Sequence, residues 1–128
     1  MLKITEIHTS ASATGEYVVL QNHGLTTVSL QGHVLCTEAY LEGDLRRNGD
    51  DVYVFTQDVP LKPYTRVVLF SGFGEEGWCP TTDGKMAYLV YWGRSTPVWS
   101  RHSTVRLLAP AGMVRTGVQR EDRQRTPA

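Results

Sequence analysis

The chain has 128 residues, of which 41% are hydrophobic and 20% charged, and its formal net charge is zero. This length predicts one domain, and the composition excludes a disordered chain because enough apolar side chains are present to form a core. No apolar run approaches the roughly 18 residues that a membrane-spanning helix needs, so we predict no membrane partner. Without a basic, apolar leader, the chain as written is predicted to be cytoplasmic, although this would not hold for a fragment of a longer secreted protein.

Short apolar segments separated by turn residues predict an all-β chain of about seven to nine strands. The predicted strands cover residues 2–8, 17–21, 27–35, 52–55, 66–70, 86–91, 104–108 and 113–116. Loops are predicted over residues 9–15, 38–51, 58–63, 71–85 and 92–102. Residues 117–128 are Arg-rich and lack an apolar pattern, which predicts a disordered tail after a domain that covers residues 1–116.

The residues expected to form the core are those that recur with the period of two typical of strands. They are Ile4, Ile7, Val18, Leu20, Val28, Leu30, Val34, Val54, Val67, Leu69, Leu89, Val105 and Leu107.

Five segments, in this order, carry a resemblance to a known family. They are residues 4–7 (ITEI), 16–22 (EYVVLQN), 28–33 (VSLQGH), 61–69 (LKPYTRVVL) and 105–114 (VRLLAPAGMV). Over roughly residues 2–116 the chain resembles the lamin tail domain, in the form found in prokaryotic proteins. The resemblance implies an immunoglobulin-like β-sandwich that works as an interaction module and not as an enzyme, with protein or DNA as partners.

One departure from the family pattern predicts an interaction surface. Val19 stands where the family has a glutamate, and if Val18 and Leu20 face the core, then Tyr17 and Val19 share the opposite face. An apolar residue on that face indicates a covered surface, which makes Tyr17 and Val19 the candidate interaction residues. The cover could be a loop, a second copy of the chain or another protein.

A second candidate surface interleaves aromatic and basic residues within residues 91–102. Trp92, Arg94, Trp99 and Arg101 have the composition of a surface that binds single-stranded nucleic acid, because aromatic rings stack on bases and arginine pairs with phosphate. The alternative is that both tryptophans fill one end of the sandwich. Residues 84–128 carry eight Lys or Arg against two Asp or Glu, which would add attraction for an anionic partner if the charges cluster after folding.

Other motifs are weak, and we predict no cofactor, no metal and no enzymatic activity. Residues 72–77 match G-x-G-x-x-G but are followed by a loop where a dinucleotide fingerprint needs a helix. His33 and Cys36 point to opposite sides of a strand, so a zinc site is disfavoured. The sequence favours reduced thiols for Cys36 and Cys79, and a disulfide between them is the alternative.

The sequence therefore favours a non-catalytic protein-interaction module, with self-association as one option. A nucleic-acid-binding accessory domain is the alternative.

Overall fold

The computed structural model describes residues 1–41, 52–99 and 104–110, and within them the chain is all-β with almost no helix. The strands are β1 (Leu2–His8), β2 (Tyr17–Asn22), β3 (Val28–Ser29), β4 (Val34–Thr37), β5 (Val52–Val54), β6 (Pro60–Leu61), β7 (Arg66–Phe70), β8 (Gly77–Pro80), β9 (Met86–Tyr91) and β10 (Val105–Leu108). A short 3-10 helix covers Ala13–Gly15, and a one-turn helix, α1, covers Glu38–Leu41. The described residues thus hold ten strands, more than the seven to nine predicted.

The strands form three sheets. The largest has the order β1-β2-β7-β9-β8, the second has the order β10-β4-β5, and β3 pairs with β6 alone. All pairings are antiparallel except that of β7 with β9. The connection between these two parallel strands contains β8, which pairs antiparallel with β9 and forms one edge of the five-stranded sheet.

One core cluster joins all three sheets. Its buried side chains are Leu2, Val18, Leu20, Val28, Leu30, Leu35, Phe55, Leu61, Val67, Leu69, Tyr88, Val90, Val98 and Trp99. The prediction that Val18, Leu20, Val28, Leu30, Val67 and Leu69 are buried is confirmed. Because they alternate along β2 and β7, only one face of the five-stranded sheet belongs to this core.

The predicted strand over residues 27–35 is wrong, because a turn divides it into β3 and β4. Gly32 has a φ of +88°, which glycine adopts without steric cost, and His33 N donates to Leu30 O at 3.3 Å. The turn changes the alternation, so that Leu35 is fully buried whereas Val34 is half-buried. A shift of one residue exchanges the two faces of a strand, and this is why Val34 was the wrong core residue.

Other residues predicted for the core are exposed because they lie near a strand end, or because the adjacent residue is the buried one. Val54 is half exposed while Phe55 is buried, and Ile7 is 40% exposed near the end of β1. In β9 the buried residues are Tyr88 and Val90, on either side of the predicted Leu89. Ile4, Val105 and Leu107 are partly buried against the core.

Two strands lie in segments that were predicted as loops. β6 begins at Pro60, in a segment whose two prolines disfavour a central strand, and β8 (Gly77–Pro80) lies in the glycine-rich segment 71–85. Both are edge strands, where proline is tolerated. The predicted strand over 113–116 and the predicted tail over 117–128 lie outside the described residues. Within the described part of the chain, no helix is both long and apolar enough to cross a membrane.

Candidate functional site

The five-stranded sheet has a face that points away from the core, which we call the outer face. Residues that oppose each other in neighbouring strands lie on the same face of a sheet. Since Val18 and Leu20 belong to the core, Tyr17 and Val19 lie on the outer face, together with their partners across the ladder. The structure therefore places both candidate interaction residues on one surface, as the alternation in β2 predicts.

Four rings cross the outer face in register, one from each of four adjacent strands. His8 opposes Tyr17, Tyr17 opposes Phe70 and Phe70 opposes Tyr91. The centroids of His8 and Tyr17 lie 4.7 Å apart and those of Phe70 and Tyr91 4.9 Å apart, both stacked, while Tyr17 is tilted at 55° to Phe70. We call these four residues the aromatic row.

The loop after β7 supports the last ring of the aromatic row. A Cβ atom added to Gly74 would lie only 2.2 Å from Cε2 of Tyr91, so the ring lies directly against the backbone. At the other end, Nδ1 of His8 lies 3.0 Å from the carbonyl oxygen of Gly15. Both terminal rings of the row are therefore held by contacts with loop backbone.

An aliphatic row lies beside the aromatic row, made of Val19, Val68 and Leu89, which oppose one another in β2, β7 and β9. Val19 is 9% exposed, whereas Val68 and Leu89 are half-buried. Tyr17, Phe70 and Tyr91 are half-buried as well. The outer face is thus a continuous apolar surface that is still partly open to solvent.

Charged residues, both acidic and basic, lie beside the two rows. Glu6 accepts a hydrogen bond from the Tyr17 hydroxyl at 3.3 Å, and partial burial followed by the Glu6 carboxylate raises the pKa of Tyr17. Arg66 lies two residues before Val68 on the same face of β7, and it forms an ion pair with Asp83, with Nη2 2.8 Å from Oδ2. The pKa of Asp83 is lowered, first by the hydrogen bond from Thr81 and then by the Lys85 amide and Arg66.

The tryptophans of the nucleic-acid candidate lie at one end of the core. Trp99 is fully buried, and its ring centroid is 5.5 Å from that of the half-buried Trp92. Arg94 lies over the Trp92 ring at 5.5 Å. In this arrangement Trp99 has no exposed face for a base, as expected if the tryptophans fill the end of the fold, and Arg101 lies outside the described residues.

Glu16 is a structural residue whose role the sequence did not indicate. Its carboxylate is fully buried, and Oε1 accepts hydrogen bonds from Ser71 Oγ at 2.5 Å, Val98 N at 2.7 Å and Trp99 N at 3.2 Å. Three segments far apart in the chain therefore meet at one oxygen. In the sequence Glu16 is only a glutamate directly before an apolar strand. A glutamate exposed on the surface would look the same there.

The cysteines and histidine considered for metal or thiol chemistry do not form a common site in the described part of the chain. Cys36 is a buried free thiol in β4, and burial raises its pKa, while Cys79 is a free, half-buried thiol in the edge strand β8. His33 is buried, with Nδ1 3.1 Å from Leu30 O. Among the described residues, no three His, Cys, Asp or Glu side chains converge as metal ligands would.

The glycine motif over residues 72–77 connects two strands. It leads into β8 and not into a helix, and Phe73 within it is 71% exposed. The motif thus lacks the helix N-terminus that would bind a pyrophosphate.

No protein-family model, curated protein or solved structure matches this chain.

Proposed function

We propose that the chain is a non-catalytic protein-interaction module that self-associates through the outer face. The observation that carries this proposal is the pair of in-register apolar rows, the aromatic row and the aliphatic row, on a sheet face that does not contribute to the core. Burying partly exposed apolar surface is the main favourable term in association. A contiguous apolar patch of this kind is typical of interaction sites.

We further propose that the fold is an immunoglobulin-like β-sandwich of the lamin tail type. The support is the order of the five resembling sequence segments, together with a core that the five-stranded and three-stranded sheets both line. In such a sandwich one face of each sheet packs inward, and the other face is available for partners.

A second copy of the chain is the partner that best fits the outer face. The charged groups at its rim already have partners, since Glu6 accepts from Tyr17 and Arg66 is paired with Asp83, so two copies related by a two-fold axis would meet mainly through apolar side chains. Five strands of about five residues give a face of roughly 24 by 17 Å, or about 400 Å². This is about half of the ~800 Å² per partner of a stable complex, so we expect a weak dimer that depends on concentration.

Sedimentation velocity over a range of protein concentrations tests this proposal. The unaltered chain should shift towards dimer as concentration rises, and Val19→Glu should remain monomeric because dimerisation would bury an unpaired carboxylate. Val54→Glu controls for the added charge, since Val54 is 50% exposed on β5 and outside the outer face. Tyr17→Ala removes one ring from a half-exposed position and provides a second variant if Val19→Glu is unfolded by circular dichroism.

Two results would refute self-association through this face. One is an unaltered chain that stays monomeric at every concentration. The other is a dimer that forms equally well with folded Val19→Glu and Tyr17→Ala variants.

A nucleic-acid-binding accessory domain is the second candidate, and the Arg94–Trp92 pair supports it. A half-buried tryptophan under a guanidinium can stack on a base while the arginine contacts phosphate. Fluorescence anisotropy of labelled single-stranded DNA and RNA should then show binding that weakens linearly with the logarithm of salt concentration. Binding should be lost in Trp92→Ala/Arg94→Glu, and a chain that binds no nucleic acid at low salt contradicts this candidate.

A further inference from the structure

A cavity of about 660 Å³ lies between residues 60–65, which lead from β6 into β7, and the β8–β9 hairpin. We call it the lysine groove. Trp78 in its wall opposes Tyr88, a core residue, with ring centroids 5.1 Å apart. The groove is therefore on the opposite side of the sheet from the outer face, and its size falls within the range of ligand-binding pockets.

The walls of the lysine groove are large apolar side chains that stay exposed to solvent. Tyr64 is 59% exposed, and Trp78 and Met86 are each 47% exposed. Hydrating such side chains is unfavourable, and their convergence on one concave surface favours an apolar group as the occupant. Aromatic rings also supply contact area at a low cost in conformational entropy.

The backbone holds Tyr64 in a conformation that is unusual for a residue with a side chain. Its φ is +67°, the only positive φ of a non-glycine residue in the described part of the chain. Tyr64 N donates to Asn22 O at 2.6 Å, and Tyr64 O accepts from Gln21 Nε2 at 3.1 Å. Strained residues of this kind cluster at ligand clamps, and here the two hydrogen bonds hold the backbone of Tyr64 in place at the groove before any ligand binds.

The charged residues at the groove indicate which charge a ligand should carry. Lys62 and Lys85 are the charged residues among its described lining, and neither forms an ion pair with another described residue. The neighbouring carboxylate of Asp83 is already bound to Thr81, the Lys85 amide and Arg66. Two exposed lysines without an ion pair to a described residue therefore line the groove, so an acidic ligand is complementary to it.

The position of β8 indicates that this ligand is a peptide. β8 carries Trp78 and lies at the edge of the five-stranded sheet, with β9 as its neighbour on one side. An edge strand offers unpaired backbone groups to an added strand, here without a donor at Pro80, and alternate side chains of the added strand point to the same face. An extended segment beside β8 would direct every second side chain into the groove.

We propose that the lysine groove binds an extended acidic peptide segment of another protein. The peptide backbone pairs with β8, and Tyr64 and Trp78 enclose one apolar side chain of the peptide. Lys62 and Lys85 contact the carboxylates of the peptide residues two positions before and two positions after that apolar residue. This interaction uses a different surface from the self-association proposed above.

The probe is the end-blocked peptide Glu-Thr-Leu-Thr-Glu, whose leucine and both glutamates share one face when the peptide is extended. Two control peptides have matched composition or shape. Thr-Glu-Leu-Glu-Thr moves the carboxylates to the face opposite the leucine, and Lys-Thr-Leu-Thr-Lys reverses the charge. Each is titrated at low salt into the full chain labelled with ¹⁵N, and amide chemical shifts are followed.

The first peptide should bind saturably and shift amides of residues 61–65 and 77–86, while both control peptides bind at least about tenfold more weakly. Lys62→Glu/Lys85→Glu and Trp78→Ala should each weaken binding of the first peptide by a similar factor. Lys62→Glu alone, which changes the charge by −2, should also weaken binding. Lys3→Glu is its matched control for charge, since Lys3 is exposed on β1 at the other edge of the sheet, and the affinity of that variant should be unchanged.

Several results would overturn the proposal. Absence of saturable binding would do so, and so would equal affinity for the lysine peptide. Equal affinity for Thr-Glu-Leu-Glu-Thr would rule out the strand pairing. An equal loss in Lys3→Glu, or a loss of binding in Tyr17→Ala, would rule out the lysine groove as the place of binding, whereas a Tyr17→Ala monomer that binds normally separates this proposal from self-association.

Discussion

Replacing Glu16 tests whether one buried carboxylate connects the start of β2, the loop after β7 and the segment that carries Trp99. The carboxylate accepts from two backbone amides, those of Val98 and Trp99, and both residues are fully buried. It also accepts from the hydroxyl of buried Ser71. Water cannot replace these partners without opening the fold, so the loss of the acceptor leaves buried donors unpaired.

The magnitude follows from the number and type of donors. A hydrogen bond to a charged group contributes about 1.5–3 kcal/mol, and an unsatisfied buried donor costs about 1–3 kcal/mol. The Ser71 hydroxyl can rotate, but the two amides of Val98 and Trp99 cannot. We therefore expect Glu16→Ala to cost about 3–5 kcal/mol, and Glu16→Gln, which keeps a neutral acceptor oxygen, to cost about 1–2 kcal/mol.

Urea denaturation followed by tryptophan fluorescence measures these losses. With an m-value of about 2 kcal/mol/M, Glu16→Ala should lower the midpoint by about 2 M. Glu6→Ala is the control, since Glu6 is an exposed glutamate that also accepts one hydrogen bond and should change stability by less than about 0.5 kcal/mol. A Glu16→Ala variant as stable as Glu6→Ala, or a Gln variant no better than Ala, would refute the role of Glu16 as a buried acceptor.

Three further predictions concern buried groups. Burial lowers the pKa of His33, so the unfolded chain binds this proton more readily than the folded chain. The free energy of unfolding should therefore be highest above about pH 6.5 and fall as the pH is lowered below it. Urea denaturation at several pH values should show a weaker pH dependence of this free energy in His33→Gln. The hydrogen bond to Glu76, followed by burial, raises the pKa of Tyr88 to about 12, so ultraviolet titration of Glu76→Gln should show one tyrosine ionising closer to pH 10, and the stability linked to Tyr88 is lost as pH rises between about 10 and 12. Leu35→Ala should cost about 2–5 kcal/mol and Val34→Ala about 1 kcal/mol in thermal or urea unfolding, and equal costs would contradict the register of β4.

The sequence reliably predicted strands wherever the apolar pattern was local and free of glycine and proline. β1, β2, β7, β9 and β10 lie where they were expected, because alternating or β-branched runs have few other stable conformations. The same local alternation placed Tyr17 and Val19 on the side of β2 that faces away from Val18 and Leu20.

Prediction failed where the conformation of one residue depends on distant partners. The turn at Gly32 divides a stretch whose alternation looks continuous, and β6 and β8 form only because β3 and β9 offer them a free edge. Neither event leaves a periodic signal within a window of a few residues.

What only the tertiary structure decided is which side chains meet. His8, Phe70 and Tyr91 join Tyr17 because four strands, of which only β1 and β2 are consecutive, share one register across the sheet. Tyr64, in the loop before β7, and Trp78, in β8, both line the lysine groove although 14 positions separate them in the sequence. Local composition determined the strands of this chain, but the pairing of strands determined both of its candidate binding surfaces, since a surface requires residues that the sequence does not place side by side.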